Sequence, residues 1–326
     1  MKLTQTVASI AFILGTALPA TAEELSFAHF VPPQHTITAS VVEPLSKGLA
    51  DKTDGDLTVR VYPGGELGAG PVEQYVRALQ GVADITFGLQ GYTSSQFQKS
   101  MLIELPGMVQ QGDHGYDMLW NAYDKYLSSE FPGTKPLALW VSEPNVMIMK
   151  DHEIRKPADL DGLKIRVAGA AAAEVVTALG ATPVQMPITQ VYNALDTGLI
   201  DGVFTGSSAI ADFKLDEVAD SYTIGAPLGR ISFFVVMNQG KYDSLSDKQK
   251  AAIDEFAGRP LSKSAEDAWN AKGNKAIADV KAAGNNTVIE LTPEEIAAFA
   301  AITEAVTQKQ IDALDAANIV AAMQSK

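Results

Sequence analysis

Leu57, Val59 and Val61 alternate with Thr58, Arg60 and Tyr62, the period of a strand with one buried face. Upstream, residues 25–30 read as another strand, broken by Pro32-Pro33, and Ile37, Val41, Leu45 and Leu49 then recur at helical spacing through 36–51. Downstream, Pro63-Gly64-Gly65 marks a turn, 71–79 is expected as a helix with Pro71 in its first turn, and 84–88 as a third strand. The order βαβαβ is the unit of a parallel sheet with helices on its faces.

The same order returns from Leu163. Leu163, Ile165 and Val167 alternate as a strand, 170–179 predicts a helix closed by Gly180, 183–186 a strand, 188–196 a helix and 201–205 a third strand. Two segments also match in letters: Arg77-Ala-Leu-Gln-Gly-Val-Ala-Asp84-Ile-Thr-Phe-Gly88 and Asn193-Ala-Leu-Asp-Thr-Gly-Leu-Ile-Asp201-Gly-Val-Phe-Thr-Gly206. Each runs from a helix end through Gly to an Asp that opens a strand, which predicts two similar lobes with strand ends facing across a cleft. Residues 136–149 form one extended apolar stretch expected to cross between the lobes, and 231–238 a second expected to bring the chain back. Two such crossings would make a hinge. From Asp247 a helix is expected to about Ala283, interrupted at Gly258-Arg-Pro260, and Thr292 is expected to cap a further helix with Pro293 at its first position.

The amino terminus carries a different pattern. Lys2, an apolar run over 7–18 and Ala20-Thr21-Ala22 before Glu23-Glu24 predict an export leader cleaved after residue 22. The run is shorter than the about 20 residues a spanning helix needs, and nothing later is longer and as apolar, so no direct membrane insertion is expected. There is no Cys, which removes disulfides and thiolate metal sites. A formal charge of -14 argues against nucleic acid or an anionic membrane as partner. It also means that any anion site must be a local, enclosed positive feature.

Arg166 is the candidate for that feature. It lies near the end of the strand 163–167, ahead of Gly169 and a helix, where open α/β sheets place their ligands. Its planar fork of donors fits a carboxylate and stays charged near neutral pH. The alternative is an arginine that ties down a loop through a nearby acid. Neighbouring strand ends offer Thr205 and Ser207 from the second lobe and Gln90 and Tyr92 from the first, while Phe30, Trp140 and Phe233 could be walls or ordinary core. Glu143, on the expected crossing, reads as a hinge salt bridge or as the partner of a ligand ammonium. No metal-ligand spacing or nucleophile–base motif emerges: His29, His35, His114 and His152 lie apart and read as surface or internally satisfied. Gly64-Gly65-Glu-Leu-Gly68-Ala-Gly70 lacks phosphate-loop spacing and reads as a lip of the cleft.

Four segments together resemble the solute-binding proteins of TRAP (tripartite ATP-independent periplasmic) transporters, the DctP-type family: Leu160-Asp-Gly-Leu-Lys-Ile-Arg166-Val, Val191-Tyr-Asn-Ala-Leu-Asp-Thr-Gly-Leu-Ile-Asp201-Gly, Phe234-Val-Val-Met-Asn238 with Tyr242-Asp-Ser-Leu-Ser246, and Ala83-Asp-Ile-Thr-Phe-Gly-Leu-Gln-Gly-Tyr92. The resemblance implies an α/β, two-lobed periplasmic binding protein fold of the class II type, each lobe a mostly parallel sheet flanked by helices, with a long helix spanning both. It implies closure around a small organic acid gripped by Arg166 and delivery to the membrane permease subunits. After Asp201-Gly202 the chain departs from many relatives with Val-Phe-Thr-Gly-Ser-Ser-Ala209, so no relative's solute is carried over.

The expected organisation is a leader at 1–22, a first lobe at 23–140 plus 236–255, a second lobe at 141–235, and helices at 256–326 packing across both. The expected function is capture of a small carboxylate in the periplasm by a monomer that needs no cofactor or metal and meets no nucleic acid. Two rivals remain open: the same fold holding a zwitterion or amine through Glu143, and an exported α/β enzyme.

Overall fold

The computed structural model describes residues 22–325, so the expected leader lies outside the described residues apart from Ala22. The strands in chain order are β1 (Glu23–Ala28), β2 (Leu57–Tyr62), β3 (Ile85–Leu89), β4 (Thr134–Val141), β5 (Asn145–Met149), β6 (Lys164–Val167), β7 (Thr182–Gln185), β8 (Gly202–Gly206), β9 (Ser221–Ile224), β10 (Ser232–Asn238) and β11 (Thr287–Glu290). They form two sheets, ordered β2-β1-β3-β10-β4 and β11-β9-β5-β8-β6-β7. β1 pairs in parallel with β2 and β3, and β6 in parallel with β7 and β8, so the two βαβαβ units read from the sequence sit alike in their sheets.

Each sheet has one strand running against the rest: β10 in the first and β5 in the second. Each is the first strand laid down after the chain changes lobe. The crossings are therefore shorter than the sequence suggested. Residues 136–149 divide into the end of β4 and all of β5, leaving Ser142-Glu143-Pro144 as the connection. The segment 231–238 does not cross: β10 lies wholly in the first sheet, and the return is made over 225–231. This moves the expected boundary at 235/236 back to just before Ser232 and puts Phe233 in the first lobe. β11 pairs with β9, so the C-terminal part also adds a strand to the second lobe.

The matching segments have a shared structural cause. Asp84 accepts hydrogen bonds from Ser26 N (2.8 Å) and Ser26 Oγ (2.7 Å), and Asp201 accepts one from Lys164 N (2.7 Å). In both lobes the Asp before the third strand ties it to the first. The helix expected from Asp247 is indeed broken at Gly258, whose φ of 78° no β-carbon residue adopts readily, giving Asp247–Phe256 and then Arg259–Ala283. The second of these packs on β4 of one sheet and β11 of the other, with Leu261, Trp269 and Val280 in a core that runs through both lobes. Thr292 caps the helix Pro293–Ala313 through Glu295 N, as its sequence predicts.

The strand ends meet across the cleft. A β-carbon on Gly169, in the second lobe, would lie 2.6 Å from Gly91 Cα in the first, an approach open only to glycine. Beside it Ser94 Oγ accepts from Ala170 N at 3.2 Å, and Tyr92 Oη accepts from Ile188 N at 2.9 Å. Since Gly169 has an extended φ of -156°, a larger residue there meets crowding, not backbone strain. Gly169→Val is expected to hold the lobes apart, raising the radius of gyration in small-angle X-ray scattering with an unchanged circular dichroism spectrum. An unchanged radius would show that the two strand ends slide past one another without opening the cleft.

Candidate functional site

Alternation along β6 places Arg166. Ile165 and Val167 enter the core on one face of the second sheet, so Arg166 projects from the other, beside Val203 and Val184 of the flanking strands. Thr205 follows Val203 by two residues on β8 and shares that face. The guanidinium is buried, with the residue only 1 % exposed. Its Nε donates to Met186 O at 2.9 Å and its Nη2 to Tyr92 Oη at 3.4 Å. Among the described residues no carboxylate lies within ion-pair distance of it. Burial lowers its pKa, with Tyr92 opposing the shift. An arginine has five N–H donors in a fixed fork, so the remaining donors are available to the cavity that Arg166 lines.

That cavity lies between the strand ends of the two lobes and has an empty volume of about 440 Å³ counted to its mouth. Arg166, Thr205, Gly206 and Ser208 come from the second lobe, Phe30, His35 and Phe87 from the first, and Trp269 from the long helix. The aromatic rings form a continuous wall. Phe30 stacks on Phe87 (5.5 Å between centroids, 11° between planes), and Phe87 on Phe233 (5.8 Å, 21°). Trp140 stacks behind both, and Trp269 meets Phe233 at 5.4 Å. The site therefore combines one unopposed positive group with flat apolar surfaces and a few hydroxyls. Among the described residues no group of three or more His, Cys, Asp or Glu gathers as a metal site would need.

A model of the family described as bacterial extracellular solute-binding protein, family 7 (DctP), matches residues 27–313. The chain belongs to that family. It is 28 % identical over 327 residues to the C4-dicarboxylate-binding periplasmic protein DctP of Rhodobacter capsulatus, covering 97 % of this chain and 95 % of the relative. A TRAP solute-binding protein from a marine metagenome, described as specific for aromatic acid ligands and solved with 3-hydroxybenzoate, superposes with a TM-score of 0.87 at 30 % identity, covering 92 % of this chain and 96 % of the other. One from Rhodoferax ferrireducens, solved with copurified benzoate, gives 0.86 at 25 % identity, again over 92 % and 96 %. The family is one of periplasmic transport proteins, and the fold here is its two-lobed α/β architecture with a long helix.

Within this TRAP solute-binding protein the residues singled out from sequence separate into three groups. Arg166, Thr205, Phe30 and Phe233 line one cavity. Tyr92, Gln90 and Trp140 stand behind it. Tyr92 buttresses Arg166, Gln90 Nε2 donates to Phe233 O at 3.3 Å, and Trp140 is fully buried under the rings. Ser207 and Glu143 do not reach it: both face the long helix at Gly273, where a β-carbon would lie 2.6 Å from Ser207 Oγ and 2.7 Å from Glu143 Cγ. The pattern missed His35, Phe87, Ser208 and Trp269. His35 is buried, lines the cavity and accepts from Ile37 N through Nδ1, and His29 is buried with neither ring nitrogen hydrogen-bonded, so neither is a surface histidine and His29 is not internally satisfied. Applying to the end of β1 the strand-end rule that found Arg166 would have exposed Phe30 and His35 together.

Glu143 does not form the hinge salt bridge that its place on the crossing suggested. Among the described residues it has no ion pair; one carboxylate oxygen accepts from Ser208 N and the other has no partner. Burial raises its pKa from 4.5 to about 7, partly offset by the Ser208 amide. A carboxyl raised on folding favours the folded state below its unfolded pKa, an advantage lost as pH climbs from about 4.5 to about 7. His29 and His35, lowered by burial to about 4, act oppositely: their contribution is present above 6.5 and lost as pH falls towards 4. Glu143→Gln keeps an oxygen for Ser208 N and cannot ionise. Its unfolding free energy is expected to gain on the parent's between pH 4.5 and 7 and hold that lead above, by about 3 kcal/mol, read from denaturant melts across that range. A difference independent of pH would show that Glu143 ionises normally.

Proposed function

We propose that this protein captures a small monocarboxylic acid with a flat, largely apolar body, encloses it between its lobes and presents it to the membrane subunits of a TRAP transporter. The observation that carries this reading is the buried Arg166 guanidinium, which has spare donors and no acid of its own. A solute carboxylate would supply the missing counter-charge. Thr205 and Ser208 are placed to satisfy further polar atoms, and Phe30, Phe87 and Phe233 to cover the body. Tyr92 acts through Arg166, holding the guanidinium at the angle its neighbours require.

The number of charges points to one carboxylate, not two. Arg166 is the only Lys or Arg among the cavity's lining residues, and His35, with its pKa near 4, is neutral at ordinary pH. A second carboxylate would be desolvated without a partner, which is costly. The flat aromatic lining agrees with the benzoate and 3-hydroxybenzoate found in the similar solved proteins. The zwitterion reading loses its support because Glu143 lies outside the cavity. In this scheme the chain acts after export, its first 22 residues serving as the leader. The closed form gains by offering Arg166 from one lobe and the aromatic wall from the other, so the solute shifts the population towards closure.

Calorimetry tests the reading directly. The parent is expected to bind benzoate more tightly than succinate, and Arg166→Ala to weaken benzoate binding more than tenfold, since truncating one side of a buried charge pair costs about 2–5 kcal/mol. Unchanged benzoate affinity in that variant would reject Arg166 as the anchor.

A further inference from the structure

The cavity holds a second polar feature that the carboxylate grip does not use. His35 follows the end of β1 and is held edge-on between Phe213 of the second lobe (5.4 Å, 61°) and Trp269 of the long helix (5.5 Å, 63°). Its Nδ1 accepts a hydrogen bond from Ile37 N at 3.1 Å, so on the neutral ring the proton resides on Nε2. Nε2 has no hydrogen-bond acceptor within range: Asp212 Oδ2 stands 3.6 Å away. That oxygen accepts from Thr36 Oγ1 at 2.7 Å, and Lys272 Nζ stands 3.6 Å from the other oxygen, Oδ1. A donor N–H fixed by its own backbone thus sits in the wall of an otherwise aromatic cavity, in the first lobe, while Arg166 is in the second.

We propose that His35 is a specificity-determining residue, its Nε2–H donating to an oxygen on the part of the solute remote from the carboxylate. The solute class this selects is an aromatic monocarboxylate bearing a ring hydroxyl or comparable oxygen, in preference to the bare ring acid. The proposal rests on the reading of the cavity as an aromatic-acid site with Arg166 at the carboxylate. The chemistry is consistent with the charges around the ring. Asp212 favours protonation of His35, Lys272 and burial oppose it, and the balance leaves the imidazole neutral with a pKa of about 4. A neutral ring supplies a directed donor without a second net positive charge, so it ranks solutes by hydroxylation and does not invite a dicarboxylate.

Two variants separate the roles of the two nitrogens. In His35→Asn the side-chain oxygen can take over from Nδ1 towards Ile37 N, while no group reaches the Nε2 position. In His35→Gln an amide N–H reaches close to that position. Calorimetry with benzoate, 3-hydroxybenzoate and 4-hydroxybenzoate reads the outcome. The parent is expected to favour at least one hydroxylated acid over benzoate, His35→Asn to lose that preference by roughly three- to tenfold while still binding benzoate, and His35→Gln to restore part of it. The same preference in the parent and in His35→Asn, with benzoate bound by both, would overturn the role of His35 and leave the Arg166 site standing. Absence of binding of all three acids by the parent would overturn the aromatic-acid reading, and this proposal with it.

Discussion

A guanidinium taken out of water without an anion beside it is an expensive thing to build. The desolvation penalty for one ion amounts to several kcal/mol even after relaxation, and Arg166 recovers part of it from one carbonyl and one phenol. Much of the architecture can be read as what keeps this side chain in place. The alternation of β6 directs it away from the core, the parallel neighbours β7 and β8 fix the strand, and Tyr92 reaches over from the other lobe to meet it. The same phenol oxygen accepts the Ile188 amide, so the positioning of the arginine and the meeting of the lobes are one event. Burial pushes the Tyr92 pKa upward, which keeps the phenol protonated and neutral beside the cation.

The lobes themselves meet through small groups. Gly91 and Gly169 touch backbone to backbone, Ser94 Oγ accepts from Ala170 N, Tyr92 Oη accepts from Ile188 N and from Arg166 Nη2, and Thr36 Oγ1 donates to Asp212. These contacts are few and peripheral to the aromatic wall. Hydrogen bonds of this kind contribute about 1 kcal/mol each, and about 1.5–3 kcal/mol where a charged group takes part, too little to trap a solute for long by themselves. Under the proposed reading, the decisive difference between open and closed states is the environment of the ligand: closure would shield the charge pair with Arg166 from water and bring the rings onto the ligand's faces. This is how a binding protein can hold its solute firmly and still release it when a partner pulls the lobes apart.

The broad architecture was legible because its signals are local. Period-two runs marked β2 and β6, the repeated βαβαβ order set β1, β3 and β8 beside them, Gly258 and Thr292 marked a break and a cap, and the repeated Gly-to-Asp segment exposed the two lobes. Arg166 and Thr205 were legible because a strand end before a helix is a recognisable address. What escaped depends on contacts between distant residues. Whether 136–149 is one strand or two is decided by which sheet pairs with each half, and the segment is apolar throughout. Ser207 and Ser208 look equivalent in sequence, yet a turn sends the first against Gly273 and the second into the cavity. Trp269 comes from a helix more than a hundred residues from Arg166, so no spacing rule connects them. Glu143 was placed on the crossing correctly, but its direction depends on how closely the long helix approaches.

The position of Glu143 also bears on why an acidic protein can hold an anion. The chain's formal charge of -14 repels a carboxylate at long range, and only the immediate surroundings of the cavity can compensate. Glu143 stands just behind Gly206, which lines the cavity; a β-carbon at Gly206 would lie 2.6 Å from its Oε1. Ionised, it would place a second negative charge close behind the solute's own. Burial instead raises its pKa to about 7, as it does for Glu104 at the other crossing, where the Ser232 amide and hydroxyl are the only groups that favour the charged form. The hinge acids are thus held by backbone amides and hydroxyls and remain partly protonated, with Arg230 of the return crossing near Glu143 but, among the described residues, not ion-paired to it. Arg230, on the return crossing, donates to Ser142 O at 2.8 Å and lies outside the cavity, so it leaves the solute to Arg166. Arg166 stays the one Lys or Arg in the cavity that a carboxylate would meet.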